Sequence, residues 1–172
     1  MMFITHLALS LAIFYLLAYL HLFQPSIILM MILAMASLLP DIDHPGSYIS
    51  NANSFTKFVS LTLTKDTKLV QHRGFFHSIY GAILVTIIAS IIFIFFNPFQ
   101  GFSPLLLILI FFMGYIFHLI GDSLTKSGIN WLWKNEKYHF SGFISTGGQL
   151  EAIFMYALLF FIGYMFLKVG FV

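Results

Sequence analysis

The chain has 172 residues, of which 60% are hydrophobic and 8% charged, with a mean hydropathy of +0.96. A soluble domain carries about 25% charged residues; six acids and eight bases cannot cover a fold of this size, so lipid must be the solvent for most of it. A formal charge of +2 without a basic run gives little electrostatic reason to expect nucleic-acid binding, and the absence of cysteine excludes disulfides, thiolate ligands and a cysteine nucleophile.

Met1 to Thr5 contains no base, which argues against a cleaved signal peptide. Five apolar segments are expected, at roughly 3–23, 26–39, 79–96, 103–121 and 150–169. Four approach the ~20 residues needed to cross the hydrocarbon core. The second is shorter and is set off from the first by Gln24-Pro25; it is read as a short span. Pro40 disfavours helical geometry at Leu39 and so stops it. The expected fold is all-α, a polytopic helical membrane bundle forming one domain over 1–172.

Polar stretches at 40–78 and 122–149 separate the segments. Five spans put both stretches and the N-terminus on one side, with Lys57, Lys65, Lys68, Arg73, Lys126, Lys134 and Lys137, and leave only Lys168 on the other. The positive-inside rule makes the first side cytoplasmic, as in a multi-pass protein of the inner (plasma) membrane. Trp131 and Trp133 suit the interface.

The ionisable residues gather at helix ends. His6 opens the first segment; Asp41, Asp43 and His44 follow the second; His72, Arg73 and His77 precede the third. His118 and Asp122 close the fourth, and Glu151 opens the fifth. On this topology all lie in one layer. Burying such groups costs about 2.5–3.5 kcal/mol each at mid-membrane, less near the interface, so they are expected to be paired, solvated or metal-bound. Histidines and carboxylates without thiols form the ligand set of a hydrolytic site, zinc first and manganese second. His118 and Asp122, at i and i+4, share a helix face, and Asp41 and Asp43 share a side of an extended segment. The expected ligands of one or two divalent ions are His6, Asp41, Asp43, His77, His118 and Asp122. His72 and Glu151 are further ligands or acid–base groups, and Arg73 and Thr125 would contact substrate.

The motifs Leu38-Leu39-Pro40-Asp41-Ile42-Asp43-His44-Pro45, His72-Arg73-Gly74-Phe75-Phe76-His77-Ser78 and Gly114-Tyr115-Ile116-Phe117-His118-Leu119-Ile120-Gly121-Asp122 resemble those of the YdjM family. Its members are described as LexA-regulated, membrane-bound, metal-dependent hydrolases, a family-level inference with no substrate attached. The resemblance spans roughly residues 6–151 and continues through Leu124-Thr125, Gly128, Leu132-Trp133 and Gly148-Gln149-Leu150-Glu151. Phe76 stands where the family's second motif has threonine, and Lys134 where its third usually ends in proline. More remotely, the order of histidines and carboxylates is similar to that of the zinc phospholipase C and P1 nuclease group. That analogy implies phosphoester chemistry, and a site in the headgroup layer points to an amphiphilic, lipid-like substrate.

Plainer readings stand beside these. His118 and Asp122 would also make a helix-end ion pair, Asp41 and Asp43 a turn, and His72, Arg73 and His77 a basic cluster for anionic headgroups. Glu151 suits a helix N-terminus, His6 could snorkel at the interface, and His44 could be a surface residue. His21, at the opposite end, and His139, in a loop, read as solvated. The alternative functions are a non-catalytic membrane protein with a structural metal site, a small metal or proton carrier, and a membrane-anchored interaction module. Few polar groups lie mid-helix, only Thr86 and Ser90 in the third and fourth segments, which argues against a carrier.

Overall fold

The computed structural model describes residues 1–43, 74–133 and 136–170, without the side chains of Ile42, Asp43 and Glu136. Five α-helices occur among them: α1 (Phe3–Tyr19), α2 (Ile27–Ala36), α3 (Ile79–Phe96), α4 (Pro104–Ser123) and α5 (Gln149–Val169). Helices α3, α4 and α5 are long and apolar enough to cross a membrane, while α1 and α2 are shorter.

Local chemistry sets the ends. Ser26, Ser78 and Ser103 each accept a backbone N–H of the first turn through Oγ, from Leu29, Gly81 and Leu106 respectively, which satisfies a donor that the helix itself leaves open. Pro104 opens α4, where its missing N–H costs nothing. Asn97 ends α3 in the left-handed region at φ 36°. The first expected segment ends sooner, at Tyr19, and the chain turns through His21 at φ 59°. Helix α2 has 10 residues, about 15 Å by helical rise, and passes at Ser37 into a tighter 3-10 turn, Leu39–Asp43. A second such turn, Phe75–His77, leads into α3. Between α4 and α5, strand β1 (Ile129–Asn130) pairs antiparallel with β2 (His139–Phe140), Ile129 opposite Phe140 and Asn130 opposite His139.

Helix α4 lies at the centre and packs on α1, α2 and α3, while α5 packs chiefly on α1. One core joins Phe14, Leu29, Leu33, Leu107, Ile110 and Phe111; another joins Ala82, Tyr115, Leu119 and Ile129. Gly114 lets α2 approach α4 closely, since a Cβ there would collide with the Leu33 carbonyl. Small residues serve this purpose in membrane bundles, where helix association depends on close packing. Phe160 and Leu167 of α5 stay over 80% exposed, as suits a helix facing lipid. The packing places the starts of α1 and α5, the turn after α2, the turn before α3 and the end of α4 at one pole.

Candidate metal centre

Four elements deliver five side chains to a single cluster. His6 comes from α1, Asp41 from the turn after α2, His77 from the turn before α3, and His118 and Asp122 from successive turns of α4. His6 Nε2 lies 3.3 Å from Asp122 Oδ1. His77 Nε2 lies 3.4 Å from Asp41 Oδ1 and 3.6 Å from Asp122 Oδ2. His118 Nε2 is 3.7 Å from both Asp41 Oδ1 and Asp122 Oδ2. The His6 and His118 rings stack at 4.0 Å with an 11° interplanar angle, and His77 meets His118 edge-on at 5.4 Å. The Met1 amino nitrogen is 2.9 Å from Asp122 Oδ1.

Two groups of three have ligand atoms within 4.8 Å of one another: His6, Asp41 and His118, and His77, His118 and Asp122. These residues fit a divalent cation. The donor set is imidazole and carboxylate, and His118 Nε2 and His6 Nδ1 are buried without a hydrogen-bond partner. A buried nitrogen aimed at two carboxylates yet too far to bond either is what an ion between them would satisfy. At the rim, burial alone would raise the Asp41 carboxyl. The hydrogen bond with His77 and the charges of His118, His77 and His6 outweigh that and hold it below the ordinary carboxylate range.

Neighbouring groups orient the three histidines. The Ser37 carbonyl accepts a 2.7 Å hydrogen bond from His118 Nδ1, which turns Nε2 into the cluster. Tyr115 Oη donates to the Phe76 carbonyl at 2.7 Å and so ties the turn carrying His77 to α4. A Cβ on Gly121 would lie 2.8 Å from His6 Nδ1, so the missing side chain makes room for the His6 ring. Sequence reasoning missed all three. Tyr115 and Gly121 sit three residues either side of His118, so counting helical turns would have found them. The Ser37 carbonyl has no side-chain signal.

The other expected residues stand elsewhere. Glu151 is fully buried, and its oxygens accept the Met2 and Gly147 backbone N–H groups, each at 2.6 Å, so it ties the start of α5 to α1. Thr125 is also buried; its hydroxyl donates to the Asp122 carbonyl at 2.7 Å, directly behind the cluster. His72, Arg73 and His44 lie outside the described residues, as does the Asp43 side chain. His21 is exposed beyond the far end of α1, and His139 is exposed with Nδ1 2.9 Å from Asn130 Oδ1.

A family model described as YdjM inner membrane protein matches residues 1–169. The chain belongs to the YdjM family. Inner membrane proteins YdjM of Escherichia coli (strain K12) and Shigella flexneri are each 33% identical to it over 98 residues. That stretch covers 56% of this chain and 44% of either relative, so the match spans less than half of theirs. No solved structure matches. The three motifs that carry the family resemblance therefore contribute Asp41, His77, His118 and Asp122 to the cluster, and His6 joins from outside them.

Proposed function

We propose that this protein is a metal-dependent hydrolase of the inner membrane, acting on a phosphoester of a lipid-like substrate at the membrane surface. The observation that carries the reading is the convergence of His6, Asp41, His77, His118 and Asp122 around the buried, unpartnered His118 Nε2. These five would hold the ion, zinc or manganese. When bound, a divalent cation supplies Lewis-acid polarisation of a phosphoryl oxygen. The Ser37 carbonyl keeps the His118 proton on Nδ1, and Tyr115 and Leu119 beside it on α4 are fully buried.

Substrate would enter beside Asp41, whose side chain is 23% exposed, while those of His6, His77, His118 and Asp122 are at most 3% exposed. Arg73 and His72, which immediately precede Gly74, are the proposed phosphate-binding and proton-transfer groups; Asp43 is a further ligand. Glu151 ties the start of α5 to α1, and Thr125 bonds the Asp122 carbonyl, rather than either meeting substrate. The excess of bases that the sequence carries between α2 and α3 and between α4 and α5, against Lys168 alone near the end of α5, supports a cytoplasmic face, and substrate drawn from the adjoining leaflet would make membrane lipid the partner.

The near-complete burial of four of the five ligands favours a second reading, a structural metal site in a non-catalytic protein, because structural sites are closed and catalytic ones keep an open position. Purified protein in detergent separates the two. Measured metal content with chelator-sensitive phosphoester hydrolysis supports the hydrolase; retained metal with no turnover on phospholipid and polyprenyl phosphate panels supports the structural site.

A further inference from the structure

We propose that the end of α4 and the β1–β2 hairpin hold the acyl chain of an anionic phospholipid, at a site separate from the metal cluster. An apolar cavity of about 380 Å³ lies between them, lined by Ile120, Ser123, Leu124, Trp131 and Phe140. Its volume is within the range of small-ligand sites, about 300–1,000 Å³. At 3.6 residues per turn, Ile120 and Ser123 point about 150° away from His118 and Asp122 around α4. The cavity therefore serves a different ligand from the cluster, and its occupancy needs no ion.

The chemistry of the walls selects the ligand. The Trp131 indole N–H donates to Ser123 Oγ at 2.9 Å, and the Ser123 hydroxyl donates to the Leu119 carbonyl at 2.9 Å. Both polar side chains of the lining are thus engaged within the protein, and the cavity presents an apolar surface. A chain of methylenes fits there, whereas a polar group would lose its hydrogen bonds. Backbone bonds hold the walls in place: the Trp131 N–H donates to the Tyr138 carbonyl, and the Trp131 carbonyl accepts from Ile79. The cavity adjoins the last turns of α4, which is long and apolar enough to cross a membrane, and Phe140 is 56% exposed. Bilayer chains are the apolar molecules within reach. Lys126, two residues after Leu124, and Lys137, three before Phe140, are both exposed and complement an anionic headgroup.

The test uses the whole protein in detergent with chelator present, so that metal-dependent turnover does not enter the reading. Trp133→Phe leaves Trp131 as the single tryptophan, and phosphatidylglycerol with brominated acyl chains quenches an indole that it touches. Saturable quenching of Trp131 is the expected result. Leu124→Phe, which fills the cavity, should weaken it at least about tenfold, since each methylene kept from burial costs about fourfold. Lys126→Gln and Lys137→Gln should each weaken it about fivefold. Quenching that rises in proportion to lipid and is the same in Leu124→Phe would overturn the site as ordinary surface contact. Equal binding of brominated phosphatidylcholine would overturn the anionic headgroup. No quenching, with a dimer seen by light scattering, would overturn the lipid in favour of a second copy of the chain. Should Leu124→Phe not fold, Phe140→Ala, which removes a wall at an exposed position, should weaken the quenching instead, and an unchanged titration would overturn the site.

Discussion

Helices α4 and α5 have 20 and 21 residues and are similarly apolar, yet half of the α4 span is buried within the protein and only 11% of α5. The difference lies in a few positions. Helix α4 carries Gly114 against the Leu33 carbonyl, Gly121 against His6, and Tyr115, His118 and Asp122 toward the site. The glycine of α5, Gly163, has nothing within 4 Å of where its Cβ would lie, and the one acid, Glu151, bonds backbone N–H groups at the first turn. In a bilayer, hydropathy says that a helix is inside the membrane but not whether it faces lipid or protein, since both surroundings are apolar. Small and polar residues along one face carry that information.

Substitutions can break this contrast. Asp122→Ala leaves the buried histidines without their shared carboxylate and should cost about 3–5 kcal/mol, read as a lower thermal unfolding midpoint in detergent, together with loss of bound metal. An unchanged midpoint would show that the polar end of α4 does not hold the bundle together. On α5, Glu151→Gln should cost less, about 1.5–3 kcal/mol, the worth of hydrogen bonds to a charged acceptor; it should leave bound Mn²⁺ within a fewfold of wild type, because Glu151 bonds backbone rather than the ion.

Gly114→Ala should destabilise by about 1–3 kcal/mol as α2 is pushed off α4. Tyr115→Phe removes one hydrogen bond, worth about 1 kcal/mol, but loosens the His77 turn and should weaken Mn²⁺ retention about tenfold. The smallest effect belongs to α5: Gly163→Ala should stay within about 1 kcal/mol of wild type and raise the midpoint through better helix propensity. If Gly114→Ala and Gly163→Ala melted alike, the central place of α4 would be wrong.

Membrane class, the apolar helices and the residue types at their ends were legible in the amino-acid order alone. The expected segment 79–96 coincides with α3, and the fourth and fifth segments agree with α4 and α5 within two residues at each end. The first two helices are shorter than their apolar segments, because apolar residues continue through the turn at His21 and through Leu38 and Leu39 after α2 has ended. Composition registers the greasiness of a turn and not its dihedral angles.

Asp41, His77, His118 and Asp122 stood out as potential ligands because ionisable groups beside hydrocarbon are costly, and their helix ends fall at one pole when successive spans alternate. Which atoms meet follows from the packed bundle. Glu151, a further ligand or acid–base group by its sequence position, has its two oxygens on backbone N–H groups, and the Thr125 hydroxyl bonds the Asp122 carbonyl. The Ser37 carbonyl selects which nitrogen of His118 faces the cluster. Every residue has a carbonyl, so nothing in the sequence marks the one that serves this purpose. Helix rotation and close approach choose it, and those follow from packing across the whole bundle.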